Sequence, residues 1–474
     1  MPLNNKKTKI VCTIGPVSEK EEVMKELIKS GMNVMRLNFS HGDFAEHGAR
    51  VKTARKISKD TGIPVAIIQD LCGPKIRIGD FKTKTIVLKE GAEFVITTED
   101  IVGDEKKVHI NYPLFPKEVK VGHFILLDDG KKKLEVVKIK GSDVVCKVII
   151  GGEIKGRRGV NIPGADLSIS SITEKDKKDL EFSLENEIDY VALSFIRRPE
   201  DIHELREILK SIGSKAGIIA KIETPQAVSN IDRIIEMSDA IMVARGDLAI
   251  EIPAENVPLI QKMIIKKCNQ WAKPVITATQ MLESMIDSPV PTRAEVSDIA
   301  NAILDGTDAI MLSEETTLGK YPVEAVKVMT RVAKHTENDY IHKQLLSDHE
   351  RGERRSVADS ITASAVKTAD RVGAKYIVSL TETGRSARRM SRHRPDHFII
   401  VMTPNKFTFQ KSILYFGCEP VHIKKFKTFL EALEVVREYC FKNKMAVVGD
   451  KIVIATGLPF DENTETNMLI VETL

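Results

Sequence analysis

The chain has 474 residues, which at roughly 150 residues per domain indicates about three domains. Its formal net charge of +4 gives no support to a polybasic surface for nucleic acid. It shows neither a run of roughly 18 apolar residues for a membrane span, nor the apolar segment of a secretory signal, nor a disulfide framework, so we expect a cytoplasmic protein.

The chain opens with apolar runs that alternate with amphipathic stretches, the pattern of stacked βα units. Ser18 and Glu21 have the spacing of a capping box, so we expect a first helix over 18–31 that ends at Gly31. A second helix is expected to end at Gly62. The strands of these units are predicted at KIVCTIG (9–15), NVMRLNF (33–39) and VAIIQDL (65–71).

From Gly73 to about Ser168 the pattern changes to a period of two with frequent turns. Segments such as TIVLKEGAEFVITTE alternate apolar and polar residues, which is typical of antiparallel strands. We therefore predict a β-barrel lid domain over 73–168, inserted into an α/β domain that occupies 1–72 and 169–345.

Five more strands follow a predicted helix over 173–187, which makes eight strand–helix units. They are VALSFI, GIIAKIE, AIMVARGD, PVITAT and AIMLS. Eight such units close naturally into a (β/α)8 TIM barrel. A doubly wound sheet is the alternative, but no GxGxxG motif follows any strand.

A polar linker, HKQLLSDHERGERRS (342–356), precedes a third segment. It contains four apolar runs that predict strands, namely KYIVSL, FIIVMT, CEPVHI and KIVIAT. We predict a separate C-terminal α/β domain over 346–474.

Polar residues end most of the predicted barrel strands, where the reactive groups of such a barrel gather. A lone polar residue there could simply cap the sheet, but five or more strands ending this way favour a site. Lys221 and Glu223 form the most informative pair, because their side chains share one strand face. Burying them together is costly unless the carboxylate holds a cation and the ammonium faces an anion. The others are Arg36, Asn38, Ser40, Asp70, Arg245, Asp247, Thr277, Thr279, Ser313 and Glu315.

These residue types indicate metal and phosphate chemistry. Glu223 and Asp247 can supply the carboxylates of a Mg²⁺ site that leaves its other positions to water and substrate oxygens. Gly246 and Asp247 open a helix or turn whose N–H groups could receive a carboxylate or phosphate of the substrate. The candidate phosphate binders are Arg36, Lys175 and Lys221.

Six segments give the chain a resemblance to the pyruvate kinase family. They are NVMRLNFSHG (33–42), AKIETP (220–225), VARGDLAIEIP (243–253), TATQMLESM (277–285), PTRAEVSDIANAILDGTDAIMLS (291–313) and GKYPVEAV (319–326). That family converts phosphoenolpyruvate and ADP to pyruvate and ATP on a barrel with an inserted lid and a C-terminal regulatory domain. The resemblance implies a glycolytic phosphotransferase that uses Mg²⁺ or Mn²⁺, is allosterically regulated and is typically a homotetramer.

The resemblance also implies roles for single residues. Glu223 and Asp247 match the family's Mg²⁺ ligands, and Lys221 matches the group that stabilises the transferring phosphoryl. Thr279 matches the hydroxyl placed near the enolate carbon during its protonation. The phosphate clamps and nucleotide-side residues are matched by Arg36, Asn38, His41, Arg77 and Lys175. A hydrogen bond at a helix start is an equally good interpretation of His41.

The chain departs from the family at a position that bears on potassium. In the K⁺-requiring form the ion lies beside residues matching Asn38, Ser40 and Asp70, and a glutamate stands where this chain has Lys75. We predict that the Lys75 ammonium replaces K⁺, so that K⁺ is not required. Leu71 supports this prediction because it removes the hydroxyl of the usual Thr. The alternative is that Lys75 is a solvated residue at the lid hinge.

Two further departures lie at the mouth and near the C-terminus. Glu314 replaces the glycine of the usual Ser-Gly-Glu, and we expect its side chain to face solvent. The loop GLPFDENTETN (457–467) is also altered.

The run from Thr381 to Ser386 follows a strand and precedes a basic helix, the arrangement of a phosphate cradle. Its donors would be Thr381, Thr383, Arg385 and Ser386, and the resemblance favours a sugar phosphate or nucleoside monophosphate as effector. Simple helix capping by Ser386 is the alternative.

Two other functions are considered for the whole chain. Another Mg²⁺-dependent barrel acting on a phosphorylated enol would not need ADP. A non-catalytic barrel should have lost its mouth residues or gained clustered Lys and Arg, and neither is seen.

Overall fold

The computed structural model describes residues 6–165, 167–337, 356–460 and 464–474. Its barrel strands are β1 Lys9–Thr13, β2 Val34–Asn38, β3 Ala66–Asp70, β12 Tyr190–Leu193, β13 Gly217–Ile222, β14 Ala240–Ala244, β15 Val275–Ala278 and β16 Ala309–Leu312. These eight strands close into a parallel barrel, in which β1 pairs with both β2 and β16. The predicted (β/α)8 fold is therefore confirmed.

Helices numbered over the described residues surround this barrel. They are α1 Glu21–Ser30, α2 Phe44–Thr61, α4 Glu174–Glu185, α5 Pro199–Ser211, α6 Pro225–Ser229, α7 Ile231–Met237, α8 Arg245–Glu251, α9 Val257–Gln270, α10 Arg293–Leu304, α11 Glu314–Thr317 and α12 Pro322–Glu337. Helix α2 ends at Gly62 in the left-handed conformation, as predicted. The predicted Ser18–Glu21 capping box is wrong, because the Ser18 hydroxyl closes a tight turn by accepting the Gly15 N–H at 3.1 Å. Helix α1 consequently begins only at Glu21.

Both faces of the barrel strands are buried. Alternate side chains such as Val11, Ile68 and Met242 fill the interior, while Leu37 and Ile67 pack outward against the helices. Because the interior is filled, a substrate can reach the barrel only at the strand ends.

The insert between β3 and β12 is built mainly of antiparallel strands, as predicted. Its elements are β4 Thr85–Leu88, β5 Glu93–Thr97, β6 Lys107–His109, α3 Phe115–Glu118, β7 Phe124–Leu127, β8 Lys132–Lys140, β9 Asp143–Ile150, β10 Gly152–Lys155 and β11 Val160–Asn161. One pair, β5 with β6, is parallel. The Asn161 side-chain amide donates to the Glu251 carboxylate at 2.7 Å, so the insert rests on the end of α8.

The C-terminal segment forms a five-stranded sheet with flanking helices. It contains α13 Val357–Val372, β17 Tyr376–Leu380, α14 Arg385–Ser391, β18 Ile399–Thr403, α15 Lys406–Ser412, β19 Cys418–His422, α16 Phe429–Lys442, β20 Lys451–Thr456 and β21 Met468–Thr473. The four predicted strands are parallel, and the unpredicted β21 pairs antiparallel with β20. The predicted linker lies outside the described residues except for Ser356, which caps α13.

Buried polar contacts join this sheet to the barrel. The Arg394 guanidinium pairs with Asp308, directly before β16, at 2.7 Å. The Lys9 ammonium donates to the Cys418 carbonyl at 2.7 Å. No described helix combines the length and the apolar character that crossing a membrane requires.

Candidate active site

A network of opposite charges lies at the carboxyl ends of the barrel strands. The Lys221 ammonium lies 2.8 Å from Glu223 Oε1 and 3.3 Å from Asp70 Oδ1. It also donates to the Ser194 hydroxyl at 2.6 Å. Arg36 pairs with the other Asp70 oxygen at 2.7 Å. The structure therefore brings together four of the residues that sequence analysis placed at the mouth, and it adds Ser194.

The charges of this network depend on one another. Burial alone would raise the pKa of Asp70, but Lys221 and Arg36 lower it below its usual value. Burial opposes the charge on Lys221, yet Asp70 and Glu223 hold its pKa above the usual value. The lysine is thus fixed as a cation at the centre of the mouth.

The two carboxylate oxygens of Glu223 have different partners. Its Oε2 accepts the Phe195 N–H at 2.8 Å. Its Oε1 is buried, and its one polar contact among the described residues is the 2.8 Å ion pair with Lys221. Burial raises the pKa of Glu223 to about 7, against the opposing effect of Lys221. A divalent cation would satisfy this oxygen and remove the energetic cost of burying its charge.

Thr279 and Gly246 meet at the opposite side of the mouth. The Gly246 N–H donates to Thr279 Oγ1 at 2.8 Å. Thr279 has a φ of 70°, a left-handed conformation that is strained for a β-branched residue. Arg245 braces it by donating to the Thr279 carbonyl at 2.8 Å, while pairing with Asp298 at 2.7 Å. Arg245 is therefore a positioning residue.

Asp247 and the lid face each other across a cleft above the mouth. The residues lining the cleft include His41, Lys75, Arg77, Arg157, Arg158 and Asp247. Desolvation, followed by the charges of Lys75, Arg77 and Arg36, lowers the pKa of His41. Arg157 and Arg158 were missed by sequence analysis, although their Gly-flanked position marks a turn.

Lys175 does not join this cleft. Its ammonium pairs with Asp179 at 2.5 Å and donates to the Phe39 carbonyl at 3.0 Å. It is absent from the described residues that line the cleft. These contacts hold the Lys175 ammonium against the main chain that follows β2.

Two predicted mouth residues have structural roles instead, which corrects their assignment. The Glu315 carboxylate is buried and accepts the N–H groups of Leu282 at 3.0 Å and Ser313 at 2.7 Å. The Thr277 hydroxyl is buried against Thr307 at 3.0 Å. Because each of its two carboxylate oxygens accepts a hydrogen bond from a main-chain N–H group, Glu315 fixes the loop that follows β15.

The predicted monovalent-cation region is assembled in part. The Lys75 ammonium donates to the Ser40 hydroxyl at 2.9 Å, and the Ser40 N–H donates to Asn38 Oδ1 at 3.1 Å. Asp70 is paired beside Asn38 in the neighbouring strand, but its carboxylate is engaged by Arg36 and Lys221. Lys75 is half-buried rather than freely solvated.

Comparison with known proteins decides the family of this chain. The model described as pyruvate kinase, barrel domain, matches residues 5–326, and the model described as pyruvate kinase, alpha/beta domain, matches residues 359–472. The chain belongs to the pyruvate kinase family. Members of this family transfer the phosphoryl group of phosphoenolpyruvate to ADP, so the chain is an enzyme of that class.

Named pyruvate kinases resemble the chain over nearly its whole length. That of Clostridium acetobutylicum is 45% identical over 468 residues, covering 98% of this chain and 99% of the relative. That of Geobacillus stearothermophilus is 44% identical over 472 residues, covering 99% of this chain and 80% of the relative. A crystal structure of a pyruvate kinase from Cryptosporidium parvum superposes with a TM-score of 0.94 at 36% identity, covering 99% of this chain and 96% of that one.

The C-terminal domain holds a second cavity. Thr381, Thr383, Arg385 and Ser386 line it, together with Arg389 and Glu465. The Gly384 N–H donates to the Thr381 hydroxyl at 3.0 Å, and Gly384 rather than Ser386 caps α14 without a side-chain bond. Simple capping by Ser386 is therefore excluded. Residues 461–463 of the altered loop lie outside the described residues.

Glu314, which departs from the pyruvate kinase pattern, is exposed as expected. It lines the cleft above the mouth. The substitution consequently adds a carboxylate to the entrance rather than to the buried charge network.

Proposed function

We propose that this chain converts phosphoenolpyruvate and ADP to pyruvate and ATP in a Mg²⁺-dependent reaction centred on Lys221. The observation that supports this most directly is the buried ammonium held between Asp70 and Glu223 at the barrel mouth. We also propose the domain division given above, with 73–168 as the lid. A cytoplasmic homotetramer is the proposed working form.

Glu223 and Asp247 would hold the divalent cation. Glu223 fits this role because its carboxylate is buried and its Oε1 is held only by the ion pair with Lys221 among the described residues. Asp247 lines the cleft and lies close enough for its charge to act on Glu223. A site with two carboxylate ligands, whose remaining coordination positions are left to water and substrate oxygens, is typical of Mg²⁺. When bound, the ion supplies positive charge that neutralises phosphate oxygens.

Each of three residues of the chain, Lys221, Arg36 and Thr279, has a separate role in the reaction. The phosphorus–oxygen bond of phosphoenolpyruvate breaks as a new one forms to the terminal phosphate of ADP. Lys221 offers a fixed positive charge to the transferring group, and Arg36 can bind a phosphate oxygen through its remaining N–H groups. The enolate left behind takes a proton on the face where the Thr279 hydroxyl is held by Gly246.

A coupled assay of pyruvate formation tests this function. Activity should require both ADP and a divalent cation, and Mn²⁺ should substitute for Mg²⁺. Turnover of phosphoenolpyruvate without ADP would instead favour a barrel that acts on a phosphorylated enol.

We further propose that Lys75 replaces a potassium ion. Its hydrogen bond to Ser40 supports this, because it places a fixed ammonium among the residues proposed to surround K⁺. The same contact argues against a solvated hinge lysine.

Turnover should be nearly equal in K⁺, Na⁺ and tetramethylammonium at matched ionic strength. The Lys75→Glu variant should become dependent on K⁺, because it changes the local charge from positive to negative. Lys84→Glu, an exposed lid substitution of the same charge change, is the control and should stay independent. Strong activation of the unmodified enzyme by K⁺ over tetramethylammonium would refute the proposal.

We propose that the C-terminal cavity binds a phosphorylated effector. Arg385 and Arg389 both face the Glu465 carboxylate there, at 3.7 and 3.4 Å. A phosphate group could replace that carboxylate as the partner of both guanidinium groups.

Sugar phosphates or nucleoside monophosphates should therefore shift the dependence of rate on phosphoenolpyruvate. The Arg385→Gln variant should lose this response, by about tenfold or more in effector affinity, while its basal rate is retained. Unchanged activity curves across such a panel, together with no binding by calorimetry, would leave the cavity without this role.

A further inference from the structure

The residue directly after β12, Ser194, contacts Lys221 at the centre of the charge network. Only 2% of Ser194 is exposed. Its hydroxyl lies 2.6 Å from the Lys221 ammonium, closer than the Glu223 oxygen at 2.8 Å or the Asp70 oxygen at 3.3 Å. Of these three contacts, the shortest is therefore with the one neutral group.

The hydrogen-bond partners of Ser194 fix the direction of this contact. An ammonium has only donors, so the Ser194 oxygen accepts from Lys221. The single hydroxyl hydrogen then goes to the Leu71 carbonyl at 2.9 Å, because the alternative acceptor, Asp70 Oδ1, lies farther away at 3.5 Å. Ser194 consequently links the Lys221 ammonium to the main chain directly after β3.

Ser194 can orient Lys221 in a way that the two carboxylates cannot. Attraction between opposite charges depends mainly on distance, whereas a hydrogen bond prefers a nearly linear donor angle. Asp70 and Glu223 hold the cation in the mouth and partly neutralise it, while Ser194 fixes one of its N–H bonds and leaves its charge unchanged. A lysine benefits from such a contact because its ammonium ends a flexible four-carbon stem.

A strained turn holds Ser194 in place. The next residue, Phe195, has a φ of 53°, a left-handed conformation that is unusual for a bulky side chain. Gly73 lies against this turn, and a Cβ at that position would come within 3.2 Å of Ser194 Cβ. The Phe195 N–H donates to Glu223 Oε2 at 2.8 Å. The same turn therefore directs one polar group at Lys221 and another at Glu223.

We propose that Ser194 is a positioning residue for phosphoryl transfer, which acts by fixing the direction of the Lys221 ammonium at the barrel mouth. This role rests on the proposed function, in which Lys221 offers its charge to the transferring group. A donor that is already oriented needs no reorganisation when charge develops on that group. Ser194 should therefore affect the rate of the chemical step more than the binding of phosphoenolpyruvate.

Steady-state kinetics of the Ser194→Ala variant test this role. The turnover number, kcat, should fall by about tenfold to a hundredfold, because a hydrogen bond to a charged group is lost. The KM for phosphoenolpyruvate should change by less than about threefold, because Lys221 remains charged between its two carboxylates. A thermal melt of each variant shows whether the fold is retained.

Ser171→Ala is the matched control for removing a buried hydroxyl beside the same turn. Ser171 is 1% exposed, and its hydroxyl lies 3.0 Å from the Phe195 carbonyl and 3.0 Å from the Asp201 carboxylate. Because these partners do not include Lys221, this variant should keep kcat within about threefold of the unmodified enzyme. An equal loss of kcat in Ser171→Ala and Ser194→Ala would assign the effect to packing of the turn and overturn the proposal.

A double-mutant cycle with Lys221→Met separates positioning from a general structural role. Because Ser194 is proposed to act through Lys221, adding Ser194→Ala to Lys221→Met should lower the residual turnover by less than about twofold. A structural role would lower it by the same factor in both backgrounds, which would also overturn the proposal.

Ser194→Cys keeps nearly the same shape but replaces the hydroxyl by a weak acceptor. Its kcat should lie between those of Ser194→Ala and the unmodified enzyme, and it provides the test if the alanine variant does not fold. An active unmodified enzyme whose Ser194 variants keep full kcat overturns the positioning role alone. An inactive unmodified protein instead refutes the proposed function, and this role with it.

Discussion

Replacing Lys221 by Met is expected to lower turnover by several orders of magnitude while the fold is retained. The substitution removes the only described cation that contacts both Asp70 and Glu223, and with it the charge matched to the transferring phosphoryl group. Asp70 keeps its partner Arg36, so the barrel should remain folded. Steady-state kinetics and a thermal melt measure the two effects separately.

Lys266→Met is the control, because Lys266 is an exposed lysine on α9. Its turnover should equal that of the unmodified enzyme. A Lys221→Met enzyme that keeps more than about a tenth of the turnover, a loss of under about 1.4 kcal/mol in transition-state stabilisation, would contradict the proposed role.

Glu223→Gln and Asp247→Asn should each raise the Mg²⁺ concentration needed for half-maximal activity, by at least about tenfold. Each change replaces an anionic ligand by a neutral one of nearly the same shape. In Glu223→Gln the buried Lys221 also loses one of its two carboxylate partners. A titration of activity against Mg²⁺ at saturating substrates gives the shift.

Glu314→Gln separates the loss of a ligand from the loss of any negative charge near the substrates. Glu314 lines the same cleft but is exposed, so its Mg²⁺ titration should be unchanged. An unchanged titration in both Glu223→Gln and Asp247→Asn would remove these residues from the metal site.

Much of the fold could be predicted because its signals are local. Eight apolar runs, each followed by an amphipathic stretch, specify parallel strands with covering helices, and the structure has those eight strands. Strand β21 escaped prediction because its side chains stay largely half-exposed at a sheet edge. The capping box predicted at Ser18 was wrong because a serine hydroxyl can form hydrogen bonds in a turn as well as at a helix start. The spacing of the residues does not distinguish these two cases.

The spacing of polar residues along the strands predicted which residues lie at the mouth. It could not predict which hydrogen-bond or ion-pair partner each of them would have. Lys221 and Glu223, at the end of β13, meet Asp70 on β3 because β12 lies between these strands and pairs in register with both. Glu315 and Thr277 have the same kind of position, yet each finds a nearer polar partner. Lys175 is held by Asp179, one helical turn further along α4. Arg157 and Arg158 line the cleft only because of where the lid lies relative to the barrel. The local sequence does not indicate that position.

The Arg394–Asp308 ion pair limits where the chain could be divided into fragments that fold on their own. Asp308 also accepts the Val275 N–H at 3.0 Å, and so it holds the start of a barrel strand. Removing one member of a buried ion pair typically costs about 3–5 kcal/mol, a large share of the stability of an ordinary domain. That cost applies to a substitution of Arg394 in the full chain, whereas a fragment that stops after α12 would lose this partner and also the C-terminal residues, such as Leu414, that share an apolar cluster with the barrel. The catalytic barrel is therefore expected to fold poorly without the C-terminal domain. Chimeras of two pyruvate kinases should fold only when both residues of this ion pair come from the same parent.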